Sequence, residues 1–145
     1  MKENPVKPHI HVACAIIEYN GRVLAAQRSE IMNMPLKWEF PGGKLESGET
    51  PEACLVREIR EELDIGINLG QALPIITYSY ESFTVTLYPF VCTPAGGVMV
   101  LHEHRTVTWM EPEQLSILDW AEADLPIIAG YLATRTIEAG ERPHP

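Results

Sequence analysis

Apolar and polar positions alternate along the chain in short runs, each closed by turn residues. His9 to Tyr19 is rich in Val, Ile and Ala and ends at Asn20-Gly21, a pair suited to the positive φ angles of a tight hairpin. Arg22 to Gln27 is predicted as the returning strand, which delivers Arg28 at its end. A polar, Met-containing loop from Ser29 to Lys37 leads to Trp38-Glu39-Phe40, and Pro41-Gly42-Gly43 is then expected to break the chain sharply. Thr50-Pro51 marks a helix start, because Thr at the N-cap accepts from an orphan N–H and Pro at the first helical position has no donor to waste. That helix is predicted to run to about Leu63. Leu73 to Tyr80 and Phe83 to Cys92 flank Glu81-Ser82 as a second hairpin. Pro94-Ala95-Gly96-Gly97 reads as a turn, Thr106 to Met110 as a short strand, Glu111-Pro112-Glu113 as a brief helical turn, and Asp124 to Ile137 as a closing helix. The pattern predicts one α/β domain over residues 9–138, a mixed sheet with helices on its faces, between loose tails at residues 1–8 and 139–145.

Composition narrows the class. A chain of 145 residues supports one core, and 46% hydrophobic with 21% charged residues is ordinary for a globular protein. No apolar run approaches the roughly eighteen residues that a membrane span needs, and Met1 to Pro8 lacks the apolar segment of a signal peptide. Cys14, Cys54 and Cys92 are widely spaced and odd in number, which argues against a disulfide framework or a cysteine zinc site. They are expected in the core of a cytoplasmic protein. Twenty acidic against eleven basic residues give a formal charge of −9, which disfavours a nucleic acid polymer as partner.

The acids are concentrated. Eight of the twenty lie between Glu39 and Asp64. A cluster of this kind is usually a solvated helix face, so its spacing decides the reading. On a helix over residues 51–63, Leu55, Ile59 and Leu63 form one stripe with Val56 beside them, and this side is expected against the sheet. Glu58, Glu61 and Glu62 stand at i, i+3 and i+4 and share another face. Three like charges so placed repel one another unless a cation lies among them, and hard oxygen donors suit Mg²⁺ or Mn²⁺. Gly42-Gly43 permits close backbone approach and Lys44 offers a point charge, features suited to a phosphate substrate.

Gly43, Glu49, Arg57, Glu58, Ile59, Glu61, Glu62 and Ile65 match eight of the nine specified positions of the Nudix box, G-x5-E-x7-R-E-U-x-E-E-x-G-U, with U a bulky aliphatic residue. Asp64 replaces the last Gly, at a position that closes the helix in a left-handed conformation, which Asp tolerates. Together with Ala26-Gln27-Arg28 and Trp38 to Lys44, the chain resembles the MutT-like branch of Nudix hydrolases over roughly residues 9–135. That branch includes CTP pyrophosphohydrolases and 8-oxo-dGTP diphosphatases. The resemblance implies an α/β/α sandwich, dependence on Mg²⁺ with Mn²⁺ substituting, and cleavage of nucleoside triphosphates to monophosphate and pyrophosphate by a monomer or homodimer.

By the same resemblance, Glu58, Glu61 and Glu62 correspond to metal-ligand carboxylates and the Gly43 carbonyl to a backbone ligand. Glu49 and Arg57 correspond to the pair that holds loop to helix. Glu103 corresponds to a carboxylate outside the box that assists the metals or the attacking water. Arg28 and Lys44 occupy positions that can contact phosphates. Glu39 and Asp124 face the base, where a carboxylate accepts from an exocyclic amine, and Asp124 is equally placed to cap the last helix. His102 and His104 are expected at the surface. The segment around Asp124 is more like that of CTP pyrophosphohydrolases, with Ala129 where the MutT-type enzymes carry Asn. This favours a cytidine-type triphosphate over 8-oxo-dGTP, and a nucleotide-binding sensor without hydrolysis is the reading from another class.

Overall fold

The computed structural model describes residues 6–141, with side chains as far as Arg135, so most of both expected tails lies outside the described residues. The spine is β1 (His9–Tyr19), whose side chains are buried on both faces over Ala13 to Ile17. This is why the stretch reads as a continuous apolar run rather than an alternation. Asn20 and Gly21, at φ 51° and 74°, turn the chain into β2 (Arg22–Gln27), paired antiparallel through Glu18–Val23 and Tyr19–Arg22. β3 (Trp38–Glu39) lies on the far edge of β2, and β4 (Gly42–Lys44) returns along β1. β5 (Ile67–Ala72) and β6 (Ile76–Ser79) both pair antiparallel with β7 (Thr84–Pro94), which itself runs parallel to β1 from His9–Thr84 to Ile17–Cys92. β8 (Thr106–Met110) completes the β2 side. The sheet is therefore mixed.

Helices cover both faces. α1 (Pro51–Leu63) lays Cys54, Leu55, Ile59 and Leu63 on Ala13, Ala15, Ile17 and Leu24. On the opposite face Cys14, Ile16, Val23 and Ala25 meet Phe40, Leu115, Trp120, Ile127 and Tyr131. Phe40 comes from the link between β3 and β4, Leu115 from a 3₁₀ turn (Pro112–Ile117), Trp120 from the link to a second 3₁₀ turn (Glu122–Asp124), and Ile127 and Tyr131 from α2 (Leu125–Glu141). The result is an α/β/α sandwich, and all three cysteines are free and buried. No helix among the described residues is long and apolar enough to cross a membrane.

The ends of α1 follow their sequence signals. Thr50 Oγ1 accepts from the Ala53 N–H at 3.1 Å, Pro51 follows, and Asp64 closes the helix at φ 59°, ψ 19° with its N–H on the Arg60 carbonyl. Other expectations need correction. Val56 is exposed rather than against the sheet. β5 was not predicted, because only Ile67 of its six residues is buried. Pro41-Gly42-Gly43 does not break the chain: Gly42 and Gly43 form a strand opposite Cys14 and Ala13, and neither has a positive φ. These glycines are there for close approach, since a Cβ on Gly42 would stand 1.9 Å from the Ala13 carbonyl oxygen.

Gly42→Ala therefore forces backbone apart on both strands, and a loss of more than about 2 kcal/mol is expected from urea unfolding. Gly130→Ala, inside α2 with open space around its Cβ position, should instead gain about 0.5–1 kcal/mol. Equal midpoints for the two variants would refute this account of the β1–β4 contact.

Candidate active site

Arg57 organises the box. Its Nε and Nη2 donate to the two oxygens of Glu49, both at 2.8 Å, in a bidentate pair. The same guanidinium reaches the Lys44 carbonyl at 3.2 Å, which ties the loop before α1 to the helix. Nη1 donates to Glu58 Oε1 at 2.8 Å and Glu61 Oε2 at 3.2 Å. The bond to Arg57 holds the Glu49 carboxyl down at about 2, helped by the Glu46 N–H. Glu49 is thus held on the helix-borne guanidinium and on the backbone of the loop before α1.

Glu58 lies over Gly43: a Cβ there would fall 2.2 Å from Glu58 Cδ. Burial pushes the Glu58 carboxyl up, against the pull of Arg57. Glu62 is more deeply enclosed. Burial first, and then the charges of Glu58, Glu103, Glu39 and Glu61, push it up to about 8, and its Oε2 is buried with no hydrogen-bond partner. Glu61 is half exposed and Glu103 exposed, at the open side of the group.

Among the described residues no three His, Cys, Asp or Glu side chains form a ready-made ion cage. Arg57 spans Glu58 and Glu61 and supplies the positive charge between them. The donor set still fits a hard divalent cation. It comprises clustered carboxylates whose mutual repulsion raises Glu62, a buried oxygen lacking a donor, and a glycine that keeps side-chain volume out of the cradle.

Beside this group opens a cavity of about 420 Å³, whose wall brings together Arg28, Glu39, Gly43, Lys44, Glu62 and Asp124. Its remaining wall is largely apolar and includes Ile10, Val12, Phe83, Val85 and Leu87. Asp124 is buried, and its Oδ2 accepts from the Phe40 N–H at 2.9 Å. It therefore braces the segment that joins β3 to β4. Burial first, then the charge of Glu39, pushes the Asp124 carboxyl up to about 8, so at neutral pH it carries a proton. Arg28 donates from Nη1 to Glu39 Oε1 at 2.7 Å and from Nε to the Asn33 carbonyl, which turns its guanidinium towards the Glu39 side of the cavity.

Two sequence expectations fail here. Ala129 is exposed on α2 and absent from the cavity wall, so the residue at that position says nothing about the base. His104 is buried, with Nε2 at 2.8 Å from Glu39 Oε2. No signal in the sequence marks it, because Glu39 lies far away along the chain. His102 is exposed, as expected, and meets Asp64.

The model of the family described as NUDIX domain matches residues 7–131. The chain belongs to the Nudix family and is a hydrolase of its MutT-like branch. It is 34% identical over 126 residues to the CTP pyrophosphohydrolase of Escherichia coli K12, covering 87% of this chain and 93% of that protein. It is 31% identical over 121 residues to the 8-oxo-dGTP diphosphatase of the same organism, covering 83% and 94%. The solution structure of the DNA mismatch repair protein MutT from methicillin-resistant Staphylococcus aureus 252 is 40% identical, with a TM-score of 0.70 over 86% of this chain and 95% of that one.

The raised carboxyls set a pH dependence for the metal-free protein. Glu62 and Asp124 bind protons more tightly folded than unfolded, so their contribution is present below the unfolded values near 4 and is lost as pH rises through about 8. Glu49 acts oppositely, losing its contribution as pH falls from about 4.5 towards 2. In EDTA, the unfolding free energy from urea titration should fall between pH 5 and 9, by on the order of a few kcal/mol. Asp124→Asn, which keeps an acceptor for Phe40, should flatten that slope; an unchanged slope would contradict the buried, protonated Asp124.

Proposed function

We propose that this hydrolase cleaves a nucleoside triphosphate to the monophosphate and pyrophosphate, and that the base is cytosine or a modified cytosine. The observation that carries this reading is the single cavity that joins the box residues Gly43, Lys44 and Glu62 to Glu39 and Asp124. A nucleotide laid along it meets phosphate chemistry at one end and hydrogen-bonding carboxyls at the other. Glu58, Glu61, Glu62 and the Gly43 carbonyl would hold Mg²⁺, or Mn²⁺ in its place. A divalent ion there supplies charge neutralisation of the phosphates and acidification of a bound water.

The chain's own residues do the rest. Arg57 holds Glu58 and Glu61 in place, and Lys44 meets phosphate charge at the cavity wall. Glu103, exposed and close enough to act electrostatically on Glu58 and Glu62, accepts the proton of the attacking water. By the family resemblance, the water oxygen bonds to the β-phosphorus, and the bond from that phosphorus to the bridging oxygen breaks. The bridging oxygen leaves with the monophosphate, so catalysis is positioning and charge stabilisation. At the base, Glu39, paired with Arg28, accepts from an exocyclic amine, while Asp124, whose carboxyl burial pushes up, donates to a ring acceptor. Resemblance to the CTP pyrophosphohydrolase of E. coli supports cytosine. The cysteine pattern supports work in the cytoplasm.

Hydrolysis in ¹⁸O-water should label pyrophosphate, and label confined to the monophosphate would overturn attack at the β-phosphorus. Glu61→Gln should lower kcat by ~10²-fold or more with the unfolding midpoint retained; near-normal turnover would refute its role. A panel of CTP, dCTP, 5-substituted dCTPs and 8-oxo-dGTP, ranked by kcat/KM, tests the base. A first rank for 8-oxo-dGTP would transfer the assignment to nucleotide-pool sanitation, and no pyrophosphate release with Mg²⁺ present would make the protein a nucleotide sensor.

A further inference from the structure

Glu39 is held at both carboxylate oxygens. Arg28 Nη1 donates to Oε1 at 2.7 Å, and the His104 ring approaches Oε2 with Nε2 at 2.8 Å. A carboxylate that is already charge-paired with Arg28 only accepts, so His104 Nε2–H is the donor. The His104 side chain is 1% exposed, and among the described residues its Nδ1 has no partner, so the ring's hydrogen bond there is the one to Glu39. With one oxygen fixed, a carboxylate still pivots about its last side-chain bond. With both fixed, its plane is set.

His104 also belongs to the segment that presents Glu103. The Val100 and His102 N–H groups donate to the Leu63 and Glu62 carbonyls at the end of α1, and the Arg105 N–H donates to the Gln27 carbonyl at the end of β2. Between these anchors Glu103 is exposed, while the next side chain turns inward to Glu39.

We propose that His104 is a positioning residue for both ends of the site: it fixes the plane of the Glu39 carboxylate towards the base and, through the same bond, holds the segment that carries Glu103. The inference rests on the reading of Glu39 as a base contact. An acceptor aimed in one direction and covered by the bound base rejects a base that lacks the matching amine, because the acceptor is then left unpaired. A carboxylate free to pivot finds another partner and rejects less.

The test compares His104→Leu, which keeps apolar volume, with His104→Gln, whose amide restores an N–H near the Nε2 position. Base discrimination is read as the ratio of kcat/KM for a triphosphate with an exocyclic amine to that for a counterpart without that amine, CTP against UTP and dGTP against dITP. His104→Leu should lower the ratio at least ~10-fold and lower kcat for every triphosphate, and His104→Gln should recover most of the ratio. A wild-type ratio in the Leu variant, or a Gln variant no better than Leu, overturns the proposal, since a merely structural histidine would shift the unfolding midpoint alone. A second measurement uses the wild-type protein: addition of CMP should shift the ¹⁵N resonances of the His104 ring more than addition of UMP. Equal or absent shifts overturn the proposal even if both variants fail to fold. Failure of the functional reading looks different, as a wild-type protein that releases no pyrophosphate from any triphosphate.

Discussion

The whole site depends on the repulsion among carboxylates that the fold forces together, and on the Arg57 guanidinium that moderates it within the box. Arg57 is bound on one side to Glu49 and the Lys44 carbonyl and on the other to Glu58 and Glu61. The first set locks the glycine-bearing strand to α1. The second keeps two of the box acids from driving the helix apart. Glu62 makes no bond to Arg57, and burial first, with the neighbouring carboxylates adding to it, raises its carboxyl to about 8 and leaves one oxygen unpaired. A structure that tolerates such a residue in its wall has been shaped for something other than maximal stability.

The sheet turns this local tension into a defined site. β1 contacts β2, β4 and β7, so one strand fixes the glycines, one edge of the cavity and the floor under α1 at once. Phe40 is gripped from the other layer by Asp124, which makes the base end of the cavity part of the same framework as the phosphate end. The two ends cannot drift independently.

Much of this was legible in the sequence where the signal is local. Asn20-Gly21, Thr50-Pro51 and the i, i+3, i+4 spacing of Glu58, Glu61 and Glu62 each depend on neighbours a few residues away, and the structure places the hairpin and the cap as expected. What depends on distant partners was not legible. Gly42-Gly43 resembles a chain break until Ala13 is laid beside it. β5 is an edge strand whose Asn68, Gly70 and Gln71 are exposed, so it has no apolar alternation to read. His104 resembles a surface residue because nothing near it in sequence reveals Glu39. Ala129 misled for the opposite reason, since its position in the chain suggested a contact with the base that α2 turns away.

The parallel pairing of β1 with β7 also bears on how the protein comes into being. His9 waits for Thr84, so the central strand has no lateral neighbour on that side until the chain has been made as far as β7. A contact so remote along the chain closes slowly, and an apolar strand left open meanwhile is a surface on which nascent chains stick to one another. The early hairpin at Asn20-Gly21 covers part of β1 during that interval, which gives this small turn a value during biosynthesis beyond its place in the finished molecule.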